Sequence, residues 1–339
     1  MSTTTTGQNE TDQRPATGMT RHLRAGLQQL FAFAGLILIM IVFSLASPVF
    51  FTWGNLVGNM LFSTVVIGTL ALGTTFVIIT AGIDLSIGTG MALCAVMAGN
   101  FITTMGLPWQ LGVVLAILFG GLVGLVNGLL VALAKLPPFI ATLAMMMAAD
   151  GLALVLSNST PIYIDAETAG GFMQLSTGTL IPRVPNAVLV FVVVAVIAGI
   201  VLNRTILGRY TYALGSNEEA TAISGVNVTR WKIAVYAFAG LFTGLAGVLI
   251  AARLGSAQPA IGMGYELQAI AAVVIGGTSL MGGRGSIVGT VIGALIIAVI
   301  NNGLQLMSVP QEWQNVILGA VIVASVYIDT LRKRAATAA

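Results

Sequence analysis

"GGTSLMGGRGS", residues 276–286, lies between two almost unbroken apolar runs, and the fold turns on how it is read. At first sight it is a loop built to hold a phosphate. A P-loop places Gly-Lys-Ser/Thr so that an ammonium reaches the terminal phosphates. The lysines are Lys135, Lys232 and Lys333, and none of them follows a glycine. The dinucleotide pattern needs a glycine three places after its second one. After Gly283 and Gly285 the next glycine is Gly289, one residue late. Neither pattern is present, so the stretch reads as a connection between two helices. Its glycines permit positive dihedrals and close approach, and serine or threonine can cap what the turn leaves open.

Of the 339 residues 57% are hydrophobic and 7% charged, where a soluble domain carries roughly 25% charged residues. Apolar stretches long enough to cross a hydrocarbon core of about 30 Å recur from Leu27 to the C-terminus. The alternation of a transmembrane barrel is absent, and only helices or barrels satisfy their own backbone in lipid. The expected fold is all-α, a polytopic helical membrane protein. Cys94, the single cysteine, lies in an apolar span, so no internal disulfide can form. The net charge of +3 is small and its basic residues are scattered among loops, which excludes nucleic acid as a partner. His22 and one cysteine cannot assemble a metal site from the usual soft ligands.

Helices are expected near 28–47, 56–80, 85–105, 111–134, 138–157, 187–203, 232–252, 265–281, 286–305 and 313–330, about ten spans. Residues 1–26 read as a disordered, polar cytoplasmic tail and 332–339 as a second tail, with a membrane domain over 27–331 between them. The first apolar run is expected to be a retained anchor, since no clear cleavage site follows it. Ten spans place both termini on one side. That side receives Arg14, Arg21, Arg24, Lys135, Arg204, Arg209, Arg230, Lys232, Arg284, Arg332, Lys333 and Arg334, or 12 of the 14 basic residues, leaving Arg183 and Arg253 to the other. The bias makes it cytoplasmic. Glycine stripes at Gly120, Gly124 and Gly128, at Gly240, Gly244 and Gly247, and at Gly285, Gly289 and Gly293 are expected to pack helices within one subunit.

Four places can carry function. "TAGIDLSIGTG", 80–90, is a second break, where Asp84 can cap the next helix or line a transport path. Asp150 is a carboxylate inside the fifth span, able to bind a solute hydroxyl or to bond a neighbouring helix. Asn127, Asn301 and Asn302 are uncharged hydrogen-bonding groups on helices, with interhelical bonding the competing role. The longest loop, 204–231, reads as a short surface helix: Ser216 or Asn217 can cap it, Glu218 and Glu219 favour its positive end, and Gly225 ends it.

"TAGIDLSIG" at 80, "PPFIATLAMM" at 137, "LGRYTYALGSNEEATAISGVNV" at 207, "SAQP" at 256 and "GYELQAIAAVVIGGTSLMGGRGSIVGTVIGA" at 264 occur in this order. In these the chain resembles, over roughly residues 50–331, the permease subunit of bacterial ABC importers of the ribose/xylose-type monosaccharide family, related to the branched-chain amino acid permeases. The resemblance implies a type II ABC importer permease-like fold in the bacterial inner membrane. It also implies a second permease copy, identical or not, a separate ABC ATPase subunit that uses ATP and Mg, and an extracytoplasmic sugar-binding protein, with no cofactor bound by this chain. Loop 204–231 then carries the coupling element, Glu219, Ala220, Thr221 and Gly225 after Asn217 and Glu218, with threonine where the general pattern has a third alanine. Asp150 departs from the family, whose members often carry arginine before this glycine. The implied mechanism is alternating access without covalent chemistry. Alternatives are a permease for a branched-chain amino acid, a nucleoside or an autoinducer sugar, a channel, or an intramembrane enzyme. The last lacks paired carboxylates, a metal cluster or a Ser-Lys pair within the spans.

Overall fold

The computed structural model describes residues 18–337. Its helices, in chain order, are α1 (Gly18–Ala46), α2 (Trp53–Ile79), α3 (Ile87–Thr104), α4 (Trp109–Ala132) and α5 (Pro138–Leu156). There follow α6 (Ala166–Thr177), α7 (Asn186–Arg204), α8 (Ile206–Ser216), α9 (Glu218–Ile223) and α10 (Val228–Leu254). The series closes with α11 (Tyr265–Ile275), α12 (Ile287–Leu306) and α13 (Gln311–Thr337). A two-residue antiparallel ladder, β1 (Ile162–Tyr163) with β2 (Ser256–Ala257), is the one sheet among the described residues. Each expected span overlaps a helix. Among the described residues seven helices are long and apolar enough to cross a membrane.

Three expectations are corrected. α1 starts at Gly18, so residues 18–26, expected in a disordered tail, are helical; residues 1–17 lie outside the described residues. α13 runs on to Thr337 through the expected C-terminal tail, because Leu-Arg-Lys-Arg-Ala-Ala are all good helix formers. The eighth expected span, 265–281, contains a helix of only 11 residues. That is about 16 Å long, half of a hydrocarbon core. Gly264 at φ +90 precedes it and Gly277 at φ +90 follows it, a left-handed backbone that favours glycine and interrupts a helix.

Close packing follows the small residues. A Cβ on Gly120 would lie 2.5 Å from the Gly240 carbonyl oxygen and 2.6 Å from the Gly244 nitrogen, and Gly128 meets the Ile233 backbone at 2.8 Å. α4 and α10 therefore touch backbone to backbone. Gly289 likewise abuts Gly276, and Gly293 abuts Ala272. The stripes are spent inside the subunit, as expected.

The basic residues separate in space as well. Lys135 and Lys232 border one cleft, and Arg284 belongs to the loop that meets α8. At the opposite end the Trp53 indole donates to the Arg183 carbonyl at 3.3 Å, and Arg253 donates to the Gly58 carbonyl at 2.8 Å with its guanidinium 4.7 Å from the Phe62 ring centre. Gly58 lies in a widened π-turn, Leu56–Met60, which frees that carbonyl.

Two segments inside the bundle are not helical. Residues 80–86 join α2 to α3, and residues 258–264 join β2 to α11. Ala257 packs at Gly99, near the far end of α3, whereas Gly262 packs on the backbone of Gly88 and Thr89 at its beginning. Between those contacts α3 rises about 16 Å, within the reach of the five residues that separate Ala257 from Gly262 at up to ~3.3 Å each. The chain thus dives along α3 to mid-depth before α11 begins, and the first turns of α3 and α11 meet there.

Candidate functional site

At the basic end the sequence builds two short helices joined at one residue. Asn217 is extended (φ −163, ψ 105), ends α8 and begins α9. Its backbone N–H donates to the Ala213 carbonyl at 3.1 Å, while its Oδ1 accepts from the Ala220 N–H at 2.9 Å. The cap therefore lies at Asn217 rather than Ser216. Glu218 and Glu219 occupy the first turn, where the helix dipole favours negative charge. Glu218 pairs with Lys232 of α10 at 2.6 Å, and Glu219 is exposed. Thr221 turns inward, and its hydroxyl donates to the Asn217 carbonyl at 2.7 Å. Ala220 is exposed, and Ile223 stands 87% exposed at the tip. Gly225 at φ +84 ends the element, and Asn227 caps α10 by accepting from the Arg230 N–H at 2.9 Å. Beside α9 a cleft of about 530 Å3 is bordered by Lys135, Pro137, Glu218, Glu219 and Lys232.

α8 carries this unit into the bundle. The Tyr210 and Trp231 rings, 4.7 Å apart, hold it to α10. The Tyr212 hydroxyl donates to the Gly285 carbonyl at 2.8 Å. Burial raises the pKa of that phenol, so it stays a donor. Gly215 rests directly on the Ile79 carbonyl and on the Gly283 nitrogen. Gly283 N–H in turn donates to the Ile79 carbonyl at 2.9 Å. The 276–286 loop thus joins α8 to the end of α2. Several of its amides are occupied: Gly277 donates to Val274, Thr278 to Val273, Ser279 to Arg284, and Gly282 to Ser279. That is a spacer's geometry, not a phosphate cradle.

The other break holds Asp84, which is buried. Its Oδ1 accepts from the Ser86 N–H at 2.9 Å and the Ser86 hydroxyl at 2.6 Å. The cap thus falls on the residue before α3 rather than on its first turn. Asn127 of α4 donates to the Ser86 hydroxyl at 2.8 Å and reaches both Asp84 oxygens at 3.5 Å. Asn127 Oδ1 and the Tyr236 hydroxyl are buried without a partner among the described residues. Thr142 donates to the Ile83 carbonyl at 3.1 Å. Asp84 and Asn127 are therefore one network, tying the break to α4 and α5.

The remaining candidates separate. Asn302 and Asn55 exchange two hydrogen bonds of 2.8 Å, and both are buried, so Asn302 is an interhelical clamp near the opposite end. Asn301, one residue earlier, points elsewhere: its amide donates to Gln268 Oε1 of α11 at 2.9 Å. Asp150 is half-buried on α5 and has no hydrogen bond or ion pair among the described residues. Twelve residues from Pro138, it stands about 18 Å along the helix, near mid-bilayer. Gln268, Tyr212 and Gly215 were not singled out from sequence. Gln268 follows Glu266 in "GYELQ", a polar pair before an apolar run, and that was the available signal.

Residues 56–326 match the family described as "Branched-chain amino acid transport system / permease component". The chain is 43% identical over 315 residues to the ribose import permease protein RbsC of Bacillus subtilis, covering 93% of this chain and 96% of that one. It is 42% identical over 279 residues to the fructose import permease protein FrcC of Rhizobium meliloti, covering 80% and 77%. To the xylose transport system permease protein XylH of Escherichia coli it is 34% identical over 363 residues, covering 88% and 92%. No solved structure matches.

Proposed function

This chain belongs to the family of branched-chain amino acid transport system permease components, and on that premise we propose that it is the membrane subunit of an ATP-driven sugar importer. It is a multi-pass inner-membrane transport subunit and not an enzyme. The solute class follows the relatives, whose names specify ribose, fructose and xylose import.

The observation that carries the mechanism is the unit at the basic end: a capped helix with Glu219 and Ile223 exposed, standing on a backbone-to-backbone contact with the end of α2. By the excess of basic residues this end is cytoplasmic. A separate ATPase engages α9 through Glu219, Ala220 and Ile223. Asn217, Glu218, Thr221 and Gly225 hold that helix in shape. When the ATPase closes, α8 moves as a lever on Ile79 and on loop 276–286, and both non-helical segments shift against α3. An extracytoplasmic binding protein delivers the solute, and a second permease copy completes the path. Asp150, without a partner among the described residues, faces that path. ATP and Mg act on the ATPase, and this chain binds no cofactor.

The test uses the complete importer in proteoliposomes. Glu219→Lys is expected to abolish sugar uptake and the stimulation of ATP hydrolysis by the binding protein, with the subunit still inserted. Equal uptake and stimulation in wild type and variant would refute the coupling role. Titrating the delivery protein with pentoses and hexoses identifies the sugar.

A further inference from the structure

The stretch 258–264 is unusual chain for the middle of a membrane. In lipid an unwound backbone is tolerated only where protein buries it or where it lines water. This one is only half covered. Ala257 and Gly262 are packed against α3, but Ala260 is exposed, Met263 is 65% exposed and Leu267, in the first turn of α11, is 52% exposed.

Beneath the exposed edge the polar groups are arranged in two ways. Glu266 is buried and consumed by the fold: both its oxygens accept from the Gly264 N–H, at 3.0 and 3.1 Å, and its carboxylate abuts Gly88. It thereby sits between the positive ends of α3 and α11, which compensates its charge. Gln268, a half-turn further, is different. It accepts from the Asn301 side-chain N–H at 2.9 Å, and its own NH2 group and Asn301 Oδ1 keep no partner among the described residues. Three donor hydrogens, two on Gln268 and one on Asn301, and the Asn301 Oδ1 acceptor thus remain on a half-buried amide pair next to a half-covered, unwound segment. Among the described residues the two amides bond each other and neither contacts an ion pair, whereas an amino-acid zwitterion would call for opposite charges. Neutral amides suit a neutral solute rich in hydroxyl groups, each of which both donates and accepts.

We propose that residues 258–268 line the solute path and that the Gln268–Asn301 amide pair binds a neutral polyhydroxylated solute in transit. This rests on the sugar-importer reading for its solute, but not for its geometry. Discontinuous helices at mid-depth form transport sites because their free backbone and flanking polar groups replace water around the solute. α5 flanks α3 on its other contact surface, with Thr89 donating to the Met146 carbonyl at 2.9 Å and Asn100 to the Leu156 carbonyl at 3.0 Å. Asp150 therefore stands one turn beyond the Met146 contact, close to the level where Gly262 meets Gly88.

The experiment takes the assembled importer in membrane vesicles, with Cys94→Ala as background. Single cysteines replace Met263 and Leu267 on the segment, and Val192 and Val193 on the exposed face of α7. A charged, water-soluble methanethiosulfonate reacts with the thiolate, which needs water to form, so the first pair is expected to label about tenfold faster or more than the second. In parallel, Gln268→Ala is expected to lower sugar uptake per ATP hydrolysed about fivefold or more, through the loss of a half-buried hydrogen-bonding partner. Cysteines at 263 and 267 as inert as those at 192 and 193 would overturn the path. Fast labelling with unchanged uptake per ATP in Gln268→Ala would overturn the amide site. If the wild-type importer carries no sugar with ATP, the sugar reading fails instead, and the labelling still decides the path.

Discussion

Gly215→Ala is the most demanding test of the lever. A Cβ at this position would lie 2.6 Å from the Gly283 nitrogen and 2.8 Å from the Ile79 carbonyl carbon, with the Ile79 oxygen nearer still. Comfortable separations between non-bonded heavy atoms are about 3.5 Å, so the two segments must part by more than about 1 Å. All three atoms are backbone, and no side chain can rotate out of the way. Overpacking of this kind costs about 1–3 kcal/mol. The displacement also breaks the 2.9 Å bond from Gly283 N–H to Ile79, leaving a buried donor at a further ~1–3 kcal/mol. The variant should lose about 2–6 kcal/mol at the junction of α8, α2 and loop 276–286, as the sum of those two terms. Gly199→Ala is the control, since a Cβ there meets nothing within 4 Å. The assay compares the aggregation temperature of purified subunits with uptake and ATP hydrolysis of the assembled importers. A lower temperature and uptake reduced more than hydrolysis are expected for Gly215→Ala alone. If it matched Gly199→Ala in both, α8 would not bear on the α2 end, and the lever would be wrong.

Three further outcomes follow from individual contacts. Asp150→Asn removes an acidic side chain that has no partner among the described residues, of a kind whose insertion at a helix centre costs about 2.5–3.5 kcal/mol; membrane abundance should hold or rise while uptake falls, and unchanged uptake at equal abundance would take Asp150 out of the path. Asn55→Ala strands the buried Asn302 amide and should lower stability by about 1–3 kcal/mol, whereas Asn55→Ala with Asn302→Ala should recover part of that loss in thermal unfolding. Tyr212→Phe deletes one hydrogen bond to Gly285, worth about 0.5–1.5 kcal/mol. Because burial raises the phenol's folded pKa, that contribution is complete below the unfolded value near ~10 and is lost as pH climbs through the folded one. The stability gap between wild type and Tyr212→Phe should therefore be constant from pH 7 to about 9.5 and close only in stronger alkali; a gap that closed near pH 8 would contradict the burial.

Much of this protein was legible from local chemistry. Apolar run length identified membrane helices because the bilayer sets one length for all of them. The α9 cap was readable at Asn217 because capping acts across three residues. The glycine stripes announced close packing, since a missing side chain is visible wherever it occurs. Asn301 and Asn302 show the boundary of that method. They are neighbours with the same side chain, yet one clamps Asn55, 247 residues away, and the other turns to Gln268 on a different helix. No local signal separates them, because the helical rotation of about 100° per residue matters only once partners surround the helix.

By itself, then, the amino-acid order determined that the chain lives in lipid, which end holds the positive charge, and where short caps form, all properties of residues within a turn or two of one another. Only the tertiary structure decided that the run at 265–281 is half a helix entered by an unwound segment, that Gly215 bears on Ile79, and that the glycine-rich loop spends several of its amides on the fold. Those facts depend on backbones brought together across the sequence, where packing at van der Waals distance, rather than composition, selects which groups meet.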